Sequence, residues 1–244
     1  MRYLLYLFAL LFSSSGAAEH YTVLVYHGAN PPYNFIVNGQ QSGIFSDIFA
    51  RLSTLTGHTF ELVPWSVARG QKQFDLGKID IEPGVNPSWR VEGVKPAIYS
   101  RSYAHSREVV LGREDGLVVE NPTAFYGKVF GRVRGYRYGA FEAHFGKDKI
   151  IVYDNTSEKE LLFQLAHKRI DCVMIGDATA AYYQKHSSEY AEFKALYEIS
   201  KLPVHMRLQP HLTQLQMELD KALSFMLHNK EIEMIYQRYG AISN

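Results

Sequence analysis

Between Tyr21 and Ile81 the chain switches four times between β-branched, aromatic runs and amphipathic ones, which constrains its fold more than any other feature. "YTVLVYHG" (residues 21–28) reads as a strand, closed by a Gly-Ala-Asn-Pro-Pro loop. "GIFSDIFARLSTLTG" places Ile44, Ile48, Leu52 and Leu55 at helical spacing, with Gly57 as a stop. "HTFELVPW" is a second strand, "VARGQKQFDLGK" a shorter helix and "IDI" a third strand. A β-α-β-α-β order favours a parallel sheet covered by helices.

The middle of the chain repeats the theme. "KVFGRVRG" and "KIIVYD" read as strands, with "YGAFEAHFGK" expected as a helix between them. "SEKELLFQLAHKRI" opens on a capping box, Ser157 then Glu160, and carries Leu161, Leu162, Leu165 and Ala166 on one face. "DCVMIGD" is a strand and "ATAAYYQKH" a helix; the tail reads as two helices broken near residues 228–230. Two further strand-like runs, "SREVVLGR" and "LPVHMRLQ", suit two crossings between lobes. The expectation is a two-lobed α/β protein, each lobe a mainly parallel sheet flanked by helices. Residues 19–106 with 204–244 would form one lobe and 107–203 the other.

The N-terminus carries an export signal. "MR" is followed by the ten apolar residues "YLLYLFALLF" and then by "SSSGAA". Ten residues cannot span a bilayer, which takes about twenty, so the pattern is a signal peptide, residues 1–18, with cleavage after Ala18 or Ala17. No cysteine follows closely enough for a lipid anchor, and no later run is a membrane span. A periplasmic monomer is expected, without stable membrane insertion. The lone cysteine, Cys172, lies in an apolar strand and reads as core. With 26 lysines and arginines against 25 acidic residues, nothing draws the chain to nucleic acid, despite the Arg/Tyr interleaving of "RVRGYRYG". Ten histidines show no metal-ligand spacing, and no GxSxG, P-loop or GxGxxG is present, so neither metal nor cofactor is expected.

Five segments in order carry a family resemblance: "NPPYNF", "SGIFSDIFARL", "GKIDIEPGVNPSWR", "KRIDCVMIGDATAAYY" and "EIEMIYQRYG". The chain resembles bacterial extracellular solute-binding proteins of family 3, the polar-amino-acid-binding components of ABC transporters. The resemblance covers the mature chain. Asp47 matches the second acid of the family's helix start, while Phe45 stands where a first acid is usual. It implies two lobes joined by two strands, hinge closure on a small polar solute, and delivery to an inner-membrane permease. Some relatives of this fold are exported dehydratase-like enzymes, and others serve signalling, so both remain alternatives. A murein-cleaving domain is not expected, because the sequence closes soon after "YQRYG", and a sensor kinase is not expected, because it would need a membrane span that the sequence does not show.

Ligands of open α/β sheets sit beyond the carboxyl ends of the strands. Arg90 offers a planar fork that matches a carboxylate, the role the resemblance implies for it; a surface ion pair with Glu82 or Glu92 is the plain alternative. Asp177 is the candidate anchor for an ammonium group, or simply a helix cap. Tyr33 and Phe35 follow a proline-stiffened loop, and one of them is expected against the solute. Trp65 is a strand-end aromatic that could equally be core. Gly84, Val85 and Asn86 could present backbone to the cleft, as could Gly135 and Tyr136 from the other lobe, with Arg137 a further anion contact. Arg69 is a weaker candidate, and Trp89 either faces the solute or packs Arg90 in place.

Overall fold

The computed structural model describes residues 18–27, 30–90, 96–113 and 119–243. Of the expected signal peptide, residues 1–17 lie outside them, as does Glu92. Strand β1 (His20–Tyr26) is followed by a hairpin, β2 (Phe35–Val37) and β3 (Gln40–Ser42), then helix α1 (Ile44–Thr56) and β4 (Thr59–Trp65). Helix α2 (Val67–Asp75), β5 (Ile81–Val85), the two-residue β6 (Ile98–Tyr99) and the long β7 (Ala104–Arg113) complete the first passage. Then come β8 (Val129–Val133), β9 (Ile151–Asn155), α3 (Glu158–Ala166), β10 (Cys172–Gly176) and α4 (Asp177–His186). The chain returns through β11 (Phe193–Leu208) to α5 (Thr213–His228) and α6 (Glu231–Arg238).

The strands are ordered β4-β1-β5-β11-β7-β10-β8-β9, with β6 on β11. Within each half the pairs β1–β4, β1–β5, β8–β9 and β8–β10 are parallel. The 16-residue β11 links the halves: Phe193–Val204 run antiparallel to β7, and His205–Leu208 antiparallel to β5. Ile44, Ile48 and Leu52 of α1 meet Leu215, Leu219 and Leu223 of α5 in one core. Leu161, Leu162 and Leu165 of α3 pack with Val173 and Ile175 of β10 in another. Each stripe has the spacing its helix requires, so burial follows from sequence.

Local stops behave as their chemistry demands. Gly57 closes α1 at φ 78°, its amide donating to Ser53 O at 2.9 Å. Ser157 caps α3 by accepting from the Glu160 amide at 3.3 Å. Two expectations are corrected. "YGAFEAHFGK" forms a 3-10 turn at Gly139–His144 rather than an α-helix, because Gly139 enters it at φ 55° and the amides of Phe141 and Phe145 bond three residues back. The third strand does not end at Ile81 but runs to Val85. Pro83 and Gly84 are tolerated because they face Met206 in a bulge: Glu82 pairs with Arg207 and Val85 with His205. Gly84 takes φ 70° there, and a Cβ on it would stand 2.8 Å from the Phe45 ring.

Candidate functional site

The bulged end of β5 faces a cavity of about 100 Å³ between the two halves of the sheet. One half supplies Tyr26, Tyr33, Glu82, Gly84 and Arg90; the other supplies Glu108, Tyr136, Tyr138 and Glu158. Tyr26 and Tyr136 face each other across it, ring centroids 6.1 Å apart. Beside them Gln71 Nε2 donates to Gly135 O at 3.2 Å, and Val67 at the start of α2 is buried in the core of the opposite half. Away from the cavity Phe35 lies 5.8 Å from Tyr182, a further contact between the halves. These contacts bind one half of the molecule to the other.

Glu82 is the most elaborately held group. It is 1% exposed and faces two guanidiniums. Arg90 engages it through Nε at 3.2 Å and through a short Nη2 contact, and Arg207 Nη1 donates to it at 3.2 Å. The Tyr26 hydroxyl donates to it at 2.5 Å. Arg207 in turn donates to Asp75 at 3.1 Å and stacks 4.1 Å from the Phe74 ring. Two arginines and two acids balance. Burial acts to raise the Glu82 carboxyl, but Arg90, then Tyr26 and Arg207, hold it below the usual carboxylate range. Burial likewise opposes the charge on Arg90, and Glu82 outweighs it, leaving Arg90 firmly protonated.

Glu108 and Glu158 are in the opposite situation. Glu108, on β7, accepts from the Ser106 hydroxyl at 3.0 Å. Burial pushes it up to about 7, with the Ser106 hydroxyl opposing and the Asp177 charge adding. Glu158, the first residue of α3, is 2% exposed, and its Oε2 has no hydrogen-bond partner. Burial pushes it up to about 8; its own backbone amide and the Tyr136 hydroxyl oppose this, and Glu108 adds to it. Asn30 Oδ1 is a further buried acceptor without a partner on the cavity wall.

Of the residues singled out by sequence, Arg90, Tyr33, Gly84, Val85, Tyr136 and Arg137 line the cavity, and so does Trp89. Arg137 donates to Glu142 at 3.2 Å. The others stand apart from the lining. Asp177 starts α4 3.6 Å from Arg107, a residue also tied to Glu198 at 2.6 Å. Asn86 is occupied in its own loop: Oδ1 accepts from the Ser88 amide and hydroxyl, and Nδ2 donates to Pro203 O at 2.7 Å. Gly135 packs on α2, Phe35 packs against Tyr182 and Tyr239, Trp65 packs against Leu24, Phe74 and Ile79, and Arg69 is exposed. The alternative reading of Arg90, an ion pair with Glu82, is present, but buried rather than on the surface. Sequence reasoning did not select Glu82, Glu108 or Glu158 as site residues. Phe45, where an acid is usual in the resembling family, is 6% exposed and packs beneath Gly84 and beside Tyr33 at 5.5 Å. Among the described residues no three His, Cys, Asp or Glu side chains gather as a metal site, and no helix is long and apolar enough to cross a membrane.

No protein-family model and no curated protein sequence matches the chain. Solved structures do. The arginine-, lysine-, histidine-binding protein ArtJ from Geobacillus stearothermophilus superposes with a TM-score of 0.75 at 18% identity, over 90% of this chain and 95% of that one. The GluR0 ligand-binding core in complex with L-glutamate gives 0.76 at 19% identity, over 92% and 99%. A histidine kinase sensor domain similar to periplasmic binding proteins gives 0.76 at 15% identity, over 92% and 98%. At these identities the likeness establishes architecture: the chain has the two-lobed α/β fold of periplasmic-binding-protein-like structures.

Proposed function

We propose that the protein is an exported binding protein that closes its two lobes around a small polar solute, an amino acid or a close chemical relative. Residues 19–106 with 204–244 form one lobe and 107–203 the other. The observation that carries this reading is the cavity walled by both halves of the sheet, beside the Gln71–Gly135 and Tyr26–Tyr136 contacts that join those halves. A solute that touches both walls stabilises the closed form through contacts that the open form lacks, which is all that hinge closure requires. Tyr33, Gly84 and Val85 line the cavity from one side and Tyr136 from the other, with Arg90 and Arg137 on the same walls. Binding rather than catalysis fits the names of the superposing proteins, several of them amino-acid-binding.

Downstream, a membrane permease of the ABC type takes the solute from the periplasm. A signalling role is the second reading, favoured by the likeness to a kinase sensor domain. The test of binding is a thermal-shift screen of amino acids, amines and small carboxylates on the mature chain. A ligand at a hundred times its Kd adds about 2.7 kcal/mol, a rise of a few degrees for a chain of this size. A flat screen over a broad library, with no compaction in solution scattering, would overturn the reading.

A further inference from the structure

We propose that the solute is a small organic cation whose ammonium group is held by Glu108 and Glu158, and that it needs no carboxylate to dock on Arg90. This rests on the solute-binding reading and names the chemistry of that same cavity. The charged groups on the cavity wall divide cleanly. Glu82 is met by Arg90, Arg207 and Tyr26, so the side-on edge of the Arg90 fork is filled and its charge balanced within the protein. The remaining Arg90 contact runs from Nη1 to the Trp89 carbonyl at 3.2 Å. Arg137 is held by Glu142. What is left over is acidic.

Glu108 has a hydroxyl for a partner, and Glu158 presents an oxygen with no partner while 2% exposed. Buried carboxylic oxygens are ordinarily satisfied, and one left open on a cavity wall is an acceptor waiting for a donor. Asn30 Oδ1, on the same wall, is a second. An ammonium group supplies three N–H donors and the positive counter-charge that lets Glu108 and Glu158 release their protons and accept as carboxylates. The rings of Tyr26, Tyr33 and Tyr136 line the same space and suit a cation and its methylenes. A ligand carboxylate would meet Glu108 and Glu158 in a cavity of only about 100 Å³.

The experiment compares amino acids with their decarboxylated twins by calorimetry on the whole mature chain: L-lysine with cadaverine, L-arginine with agmatine, L-histidine with histamine, and succinate as an anion. In at least one pair the amine is expected to bind ten-fold or more tightly than its amino acid. Glu158→Gln and Glu108→Gln, which keep shape and remove charge, should each weaken that amine ten-fold or more. Melting temperatures of both variants show that they fold. Tighter binding of the amino acid, or binding of succinate, would overturn the cation assignment while leaving the protein a solute-binding one. The assignment also falls if no member of any pair binds; a flat broad screen would then remove the binding reading with it.

Discussion

Arg90 illustrates how a residue can sit where sequence places it and yet be engaged differently. A fork aimed at a ligand's carboxylate is instead closed on Glu82, eight positions earlier. Removing one member of a buried ion pair leaves the other uncompensated and costs about 3–5 kcal/mol. Arg207 and Tyr26 still hold Glu82 when Arg90 is gone, so Arg90→Ala should lower unfolding stability in denaturant by no more than the low end of that range, about 3 kcal/mol. A second prediction concerns pH. The ordinary glutamate value is 4.5, and Glu108 and Glu158 are raised in the fold to about 7 and about 8. Between those limits the folded state holds protons that the unfolded chain has released, so the contribution of these two groups to stability is fully present below about pH 4.5 and is lost as pH rises toward 8. Asp177, also raised by burial, acts in the same direction; Glu82, held low, acts only at more acid pH. Melting curves of the ligand-free protein should fall across this window, and Glu158→Gln should flatten the fall.

At the scale of elements, the sequence was legible wherever a local pattern decides the outcome. The apolar stripes of α1, α3 and α5, the Gly57 stop and the Ser157 cap are written in adjacent residues. Ser157→Ala should cost about 1 kcal/mol in thermal or denaturant unfolding, as loss of a helix cap does. What escaped depends on distant partners. Glu158 looks like a solvent-facing acid placed to suit a helix N-terminus, and its burial beside Tyr136 is visible only in the fold. Glu108 reads as one more charge in "SREVVLGR", although the strand carries it to the cavity wall. Asn38-Gly39 carried a short-range signal for the β2–β3 hairpin, both residues taking positive φ, and went unread. The bulge at Pro83-Gly84 needed β11 opposite it to be seen. Gly135 offers the sharpest element-scale test. It takes φ 98°, and a Cβ there would stand 3.0 Å from Val67 and 3.2 Å from the Ala68 amide of α2. Gly135→Val should hold the lobes apart and lower affinity for whatever solute the screen identifies. Scattering should then show a chain that no longer contracts on binding.

For the whole molecule, β7 and β11 matter most, because the same antiparallel pair belongs to both halves of the sheet. Ala104 faces Val204 in that ladder, so the chain leaves the first half and re-enters it at neighbouring positions. We read everything between them as a guest inserted into a host whose own strands, β4-β1-β5 with the end of β11, pair with one another. A guest whose ends meet can be cut out and the gap bridged by a two-residue turn, as tolerated insertions generally allow. The shortened host, built on the core of α1, α5 and α6, should fold cooperatively by calorimetry while losing all solute binding, since half of the cavity wall leaves with the guest.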